Sequence, residues 1–289
     1  MTRVDATLAH ATVSRDLLQR QVELACLLEV SAAKPGNITP IHDFSDTTYV
    51  DMVRSALALG PVFARARVGA RSVGELISDA VLATERVADN NTNLGIVLLF
   101  APLVRAAVLR REDETLRAAL ERILARLDVA DAAAAFEAIA RVQPGGLGGA
   151  PEHDVRAPAS VSLRAAMAAA AHRDSIASEY ATGYQIVFET GLPLLADALC
   201  DEVRALDAIV SLHVGLLAGL PDSLIERKAG PGAARAVSVA AREVLNGNRS
   251  LADFDASLRT ADHRLNPGTT ADLVAATVLA ALLSGVRFR

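Results

Sequence analysis

The chain has 289 residues, of which 29 are basic and 34 acidic, so its net charge is -5. These charges are spread along the chain without the basic stripe that neutralises a nucleic-acid backbone, which excludes nucleic acid as an expected partner. Hydrophobic residues make up 52% of the chain and aromatic residues only 3%. A core of Ala, Leu, Val and Ile favours helices, because Ala and Leu are strong helix formers.

No linker-like stretch divides the chain, so we expect one domain over residues 1–289, with 1–12 flexible. The N-terminal residues lack the apolar segment of a secretory signal. The most apolar run, 94–109, contains an arginine and a proline and is shorter than the roughly 20 residues that cross a bilayer. Cys26 and Cys200 lie in apolar patterns and are expected to be buried thiols. We therefore expect a cytoplasmic protein with no membrane contact.

Start and stop signals predict the first helices. Ser14 can cap a helix whose leucines recur at helical spacing until the Lys34-Pro35-Gly36 segment ends it. Ser72 and Glu75 form a capping-box pattern that opens a helix through about residue 87. A buried helix is predicted from Leu94, followed by amphipathic segments over about 113–127 and 129–141.

The segment 143–158 holds four glycines and three prolines, which predicts a long loop, and loops of that length are usually functional or mobile. Helical patterns resume near residue 160, and the last helix ends near 284. Helix stops are predicted near Gly191-Leu192-Pro193, Gly219-Leu220-Pro221, Gly230-Pro231-Gly232 and Asn246-Gly247-Asn248. We find no series of alternating β-branched runs, so the sequence predicts an all-α, single-domain multi-helix bundle.

Five polar turns each join two hydrophobic helical segments: 34–46, 89–93, 143–154, 222–232 and 266–272. A bundle can gather its inter-helix loops at one end, and ligand sites in helical folds often lie there. We therefore expect a site formed by inter-helix loops.

The first turn offers groups for phosphate and for metal or proton chemistry. Lys34 is a candidate cation for phosphate, Gly36 and Asn37 are candidate donors, and Glu29 lies beside them at the end of the first helix. Three further side chains would suit Mg²⁺ or proton transfer: His42, Asp43 and Asp46. The alternative is a helix stopped by Pro-Gly with solvated charges beyond it.

The segment Asn91-Thr92-Asn93 precedes Gly95 and an apolar helix, so a cap hydroxyl and free N–H groups could face an anion. Before the last helix, Thr269 or Thr270 is the predicted cap and Asp272 is expected in the first turn. Plain N-capping remains the alternative at both helix starts.

The segment Gly230-Pro231-Gly232 could cradle phosphate beside Arg227 and Lys228, although Pro is common at any helix start. Motifs of serine hydrolases, zinc proteases and Walker-type nucleotide sites are absent from the sequence. The six histidines show no metal-ligand spacing, and His213, in an apolar helix, is expected to be an interior residue.

Four short motifs occur in a fixed order: 29–37 (Glu-Val-Ser-Ala-Ala-Lys-Pro-Gly-Asn), His42-Asp43, 91–95 (Asn-Thr-Asn-Leu-Gly) and 266–273 (Asn-Pro-Gly-Thr-Thr-Ala-Asp-Leu). Together they resemble the triphosphoribosyl-dephospho-coenzyme A synthase family over about residues 20–285. Members of that family are all-α proteins that join ATP to 3'-dephospho-coenzyme A and release adenine. The resemblance implies ATP as a substrate and a small coenzyme-like acceptor here.

One motif departs from the family pattern. Members that make the decarboxylase cofactor read Asn-Thr-His-Lys-Gly where this chain reads Asn91-Thr92-Asn93-Leu94-Gly95. A histidine and a lysine are missing, which implies a divergent branch with a changed donor or acceptor.

The resemblance leads to a mechanistic hypothesis. Displacement of adenine from C1' passes through an oxocarbenium-like state that carboxylates can stabilise. We expect Asp43, Asp46 and Asp272, with Glu29, to hold Mg²⁺ and stabilise this state, one of them acting as base. The expected phosphate and nucleotide ligands are Lys34, Gly36, Asn37, Asn91, Thr92, Asn93, Gly95, Arg227, Thr269 and Thr270. The alternative is a non-catalytic or repurposed nucleotide- or cofactor-binding helical protein, and a homodimer is a further expectation.

Overall fold

The computed structural model describes residues 14–67, 71–142, 144–145, 149, 152–200 and 204–288. Within these ranges the chain forms fourteen α-helices and no strand. The all-α prediction is confirmed. The segment 1–12, predicted to be flexible, lies outside the described residues, and the single-domain organisation and the homodimer stay predictions.

The helices are listed here in chain order: α1 (Arg15–Ser31), α2 (Tyr49–Ala64), α3 (Val73–Glu85), α4 (Leu94–Leu109), α5 (Leu116–Leu124), α6 (Val129–Val142), α7 (Leu163–Ala170), α8 (Ser175–Thr182), α9 (Leu192–Cys200), α10 (Ala205–Gly219), α11 (Ser223–Ala229), α12 (Pro231–Leu245), α13 (Leu251–Leu258) and α14 (Gly268–Leu283). A short 3-10 turn, Arg65–Arg67, follows α2, and a π-helical segment, Ile186–Gly191, precedes α9.

Local capping signals set several helix starts as predicted. The Ser14 side chain accepts the Leu17 amide at 3.2 Å, which caps α1. Ser72 and Glu75 form a complete capping box at α3, each side chain accepting the other's backbone N–H. Such caps satisfy amides that have no partner within the helix.

Helices α4 and α14 form the centre of the molecule. Both are buried along most of their length and pack against each other, and α1 and α10 pack against α14. Their side chains are mainly Leu, Val and Ala, so burial on all sides removes apolar surface from water. Because the N-terminal ends of α4 and α14 meet, the loops that precede these helices lie together.

Some local predictions were wrong. The predicted stop at Gly191-Leu192-Pro193 does not occur, because helical backbone continues through Ile186–Gly191 into α9. Neither Thr269 nor Thr270 caps α14; the N-cap is Pro267, and Asp272 follows the first turn. Cys200 is exposed at the end of α9, whereas Cys26 is buried as expected.

Among the described residues, no single helix is both long and apolar enough to cross a membrane. One pair, Ala205–Gly219 and Ser223–Ala229, meets the length and composition criteria only jointly, and it bends by 58° at the break.

Candidate functional site

A cavity of about 730 Å³ opens where α4, α8 and α14 begin. Ten of the fourteen candidate site residues line it, and they come from five separate parts of the chain: Glu29, Asn37, Asp46, Asn91, Thr92, Asn93, Gly95, Arg227, Thr269 and Asp272. The remaining four, Lys34, Gly36, Asp43 and Thr270, do not line this cavity. The fold therefore brings most of the polar turns to one place.

Asp43 and Gly36 line a smaller neighbouring cavity of about 350 Å³. An oxygen of Asp43 accepts the Tyr49 amide at 2.6 Å, at the start of α2. Gly36 has a positive φ of 76°, which favours glycine, and its amide donates to Asp255 at 2.8 Å. Both groups already have partners that hold the loops in place.

Lys34 is fully buried and forms an ion pair with Glu29, with 2.9 Å between Nζ and Oε1. Glu29 is also part of the cavity lining, and its carboxylate lies close enough to Asp272 to raise the pKa of that group. The predicted mobile cation is therefore wrong for Lys34: its ammonium group lies behind the cavity wall.

The N-terminal turn of α4 uses its polar residues in different ways. Asn91 Oδ1 accepts the Leu94 amide at 3.0 Å, and the Thr92 hydroxyl donates to the Ser55 hydroxyl at 2.7 Å. The N-cap residue Asn93 makes no side-chain capping bond. Thr92 thus ties this turn to α2 and does not act as the predicted cap hydroxyl.

Asp272 lies against the start of α4. A Cβ added to Gly95 would stand 2.0 Å from an oxygen of the Asp272 carboxylate, so only glycine leaves room for the carboxylate in this position. Burial, together with the neighbouring carboxylates of Glu29, Asp222 and Asp174, raises the pKa of Asp272 well above its usual range. A raised pKa makes a carboxylate a stronger proton acceptor than an ordinary aspartate.

Asp222 joins the starts of α11 and α14. One of its oxygens accepts the amides of Leu224 and Ile225 at 2.9 and 3.0 Å. The other accepts the Thr270 amide at 2.7 Å and the Thr270 hydroxyl at 2.8 Å. Thr270 is therefore structural, and Asp222 fixes the helix that carries Arg227 relative to the helix that carries Asp272.

We expect Asp222→Ala to lower the free energy of unfolding by about 3 kcal/mol, because three buried donors and one partly buried donor lose their acceptor. Ser250→Ala is the matched control, since Ser250 caps α13 at an exposed position. Ser250→Ala should lower the free energy of unfolding by about 1 kcal/mol. Urea denaturation of both variants measures the difference, and equal losses would contradict the joining role of Asp222.

Positive side chains gather on one side of the cavity: Arg173, Arg227 and Lys228. Arg227 donates to Asp174 at 2.6 Å, whereas Arg173 and Lys228 form no ion pair within the described part of the chain. The start of α8 lies on the same side, and the N-terminus of a helix favours anions. This side of the cavity is suited to phosphate.

Comparisons with known proteins fit this geometry. The family model for ATP:dephospho-CoA triphosphoribosyl transferase matches residues 15–288. The chain belongs to this transferase family. It is also similar to a solved structure from Archaeoglobus fulgidus that is provisionally described as a triphosphoribosyl-dephospho-coenzyme A synthase. The two share 27% identity with a TM-score of 0.64, over 81% of this chain and 99% of the other. A search of curated proteins found no match.

Sequence reasoning missed two residues that line the cavity of this triphosphoribosyl transferase family member. Arg173 and Asp174 follow an alanine-rich run, and Asp174 caps α8 by accepting the Ala177 amide at 3.0 Å. The Asp-Ser pair at this helix start is a capping signal that could have identified the turn. The Gly230-Pro231-Gly232 segment, by contrast, does not line the cavity.

Proposed function

We propose that the protein transfers the 5-triphosphoribosyl group of ATP to a hydroxyl of 3'-dephospho-coenzyme A, or of a related acceptor, with release of adenine. The observation that carries the proposal is the cavity, which gathers carboxylates and cations from separate parts of the chain where three helices begin. Membership of the triphosphoribosyl transferase family supports the same reaction.

The cations Arg173, Arg227 and Lys228 are the proposed ligands of the triphosphate. Arg173 and Lys228 are exposed cations at the cavity and can approach phosphate without breaking an ion pair. Arg227 is held by Asp174 and would act from a fixed position. Leu94 stands where members that make the decarboxylase cofactor have a lysine, so these three side chains supply positive charge from the turn before α8 and from α11 instead.

The carboxylates of Glu29 and Asp272 are the proposed neighbours of the ribose. As the C1'–N bond to adenine breaks, positive charge develops on the ribose, and the carboxylates of Glu29 and Asp272 lie where they can stabilise it. Asp272, with its raised pKa, takes the proton of the acceptor hydroxyl as the new C1'–O bond forms. The leaving adenine takes up one proton, so the reaction consumes no net proton.

The residues that line the cavity also limit how the expected Mg²⁺ could bind. No group of three or more His, Cys, Asp or Glu within the described ranges is arranged to hold a metal ion, and Asp43 lines the neighbouring cavity instead of the one that Asp46 and Asp272 line. Mg²⁺ usually binds one or two carboxylates together with substrate phosphates, and the carboxylates of Asp46 and Asp174, which line the cavity, suit that mode. When bound, the ion would neutralise triphosphate charge.

Adenine release tests the proposal directly. The purified protein should release free adenine from ATP in the presence of Mg²⁺ and 3'-dephospho-coenzyme A, and a larger product should form in equal amount. Chromatography with mass spectrometry measures both. Tight ATP binding without adenine release would favour a non-catalytic nucleotide-binding protein, which the loss of the family lysine at Leu94 makes the specific rival.

We expect Arg173→Gln and Lys228→Gln each to raise the KM for ATP about tenfold, because each removes one charge-assisted contact to phosphate. Their effect on kcat should be small, since neither side chain is placed beside the ribose. Arg20→Gln, on the exposed face of α1, is the matched control and should leave both constants unchanged. Initial rates of adenine release provide the measurement, and an unchanged KM in both variants would contradict this phosphate side.

A further inference from the structure

The buried ammonium group of Lys34 serves a purpose other than phosphate binding. Its side chain has no exposed surface, and the side chain of its partner Glu29 is 4% exposed. Besides the ion pair at 2.9 Å, Lys34 Nζ donates to the backbone carbonyl of Glu29. Burying an ammonium group costs free energy unless it is paired and hydrogen-bonded, so these two contacts fix its position.

The local sequence explains how Lys34 reaches Glu29. Helix α1 ends at Ser31, and the chain turns back through Gly36, whose positive φ and bond to Asp255 hold the turn. Lys34 therefore points at the last turn of α1, where carbonyl oxygens lack helical partners and the dipole favours a cation. The same turn leaves the Glu29 carboxylate at the cavity.

His213 of α10 lies beside this ion pair. Its side chain is fully buried, and its ring lies beside the backbone of Pro35. Burial and the nearby charge of Lys34 lower the pKa of His213 to about 3. The imidazole is neutral at physiological pH, so Lys34 is the cation that Glu29 faces from the protein side.

We propose that Lys34 is a positioning residue, which holds the Glu29 carboxylate toward the ribose side of the cavity and makes no contact with substrate phosphate. The inference rests on the proposed function, since it assigns Glu29 to the stabilisation of the ribosyl cation. Without Lys34, the Glu29 carboxylate loses its charged anchor and its orientation. The rate of the chemical step should fall, while the affinity for ATP should stay the same.

Kinetics on the full-length chain separate these roles. Lys34→Met should lower kcat for adenine release about 100-fold, as misplaced catalytic groups do, with the KM for ATP within about threefold of wild type. Lys228→Gln is the matched cation variant and should raise KM instead. A Lys34→Met variant that raises KM and keeps kcat would overturn the proposal, because that is the pattern of a phosphate ligand.

A double variant keeps the test valid if Lys34→Met does not fold. Glu29→Gln with Lys34→Met leaves no unpaired buried charge and should fold. If Lys34 acts through Glu29, the kcat of the double variant equals that of Glu29→Gln alone. If the kcat losses of the two single variants multiply in the double variant, Lys34 acts independently of Glu29 and the positioning role is wrong.

Titration of ATP by calorimetry distinguishes this proposal from the proposed function. An ATP Kd for the double variant that matches Glu29→Gln supports a lysine that does not touch phosphate, and a weaker one overturns it. A wild-type protein that binds ATP and releases no adenine would refute the transferase function, while this binding comparison would still decide the placement of Lys34.

Discussion

Asp272→Asn should lower kcat for adenine release about 1000-fold, within the range expected for the loss of a general base. The side chain lines the cavity and its pKa is raised, whereas an amide at the same place cannot accept the proton of the acceptor hydroxyl. The KM for ATP should change little, because the cations proposed to bind the phosphates, Arg173, Arg227 and Lys228, are all retained. Initial rates of adenine release give both constants.

The same variant should fold normally. Asp272 is surrounded by the carboxylates of Glu29, Asp222 and Asp174, so the neutral amide removes like-charge repulsion and the free energy of unfolding should be equal or higher. Asp16→Asn, at the exposed start of α1, is the matched control and should keep full activity. An Asp272→Asn protein within tenfold of wild-type kcat would contradict the role of Asp272 as base.

The pH dependence follows from the direction of the pKa shift. A base must be unprotonated to accept a proton, so kcat of the wild type should rise with pH through the raised pKa of Asp272. The acidic limb of the pH profile of kcat should therefore lie at a higher pH than the usual pKa range of an aspartate. An acidic limb at the ordinary pKa of an aspartate would indicate that a carboxylate other than Asp272 controls the rate.

The sequence predicted the features that depend on neighbouring residues. Ser14 and the pair of Ser72 and Glu75 cap their helices as expected, since a cap joins residues only three positions apart. The strongly apolar run of α4 likewise predicted a buried helix. Local patterns also identified ten of the residues that line the cavity, because polar turns between apolar helices are visible without coordinates.

Contacts between distant residues could not be predicted in the same way. Thr270 bonds to Asp222, 48 positions away, so a residue that looked like a helix cap is a link between two helices. Lys34 looked like a mobile loop cation, yet the turn folds it back under α1. Arg173 reaches the cavity only because α8 packs beside α4. These placements depend on packing, which no local pattern encodes.

Gly95→Ala should reduce kcat about 100-fold while the fold is retained, because a shift of about 1 Å in a catalytic group can cost that much. The new Cβ would lie 2.0 Å from the Asp272 carboxylate oxygen and 2.7 Å from Ile176 Cδ1, so both side-chain ends must move. Both atoms belong to side-chain termini that can rotate, so the backbone of α4 need not shift. Alanine also favours a helix over glycine by about 1 kcal/mol, which offsets part of the crowding.

Gly232→Ala is the matched control for the change in helix propensity. Gly232 lies in the first turn of α12, and an added Cβ there meets no atom within 4 Å. This variant should keep wild-type kcat and be slightly more stable. Thermal unfolding and adenine-release rates on both alanine variants separate crowding at Asp272 from a general effect on helices. Equal kcat values in the two variants would show that the position of the Asp272 carboxylate does not limit the reaction.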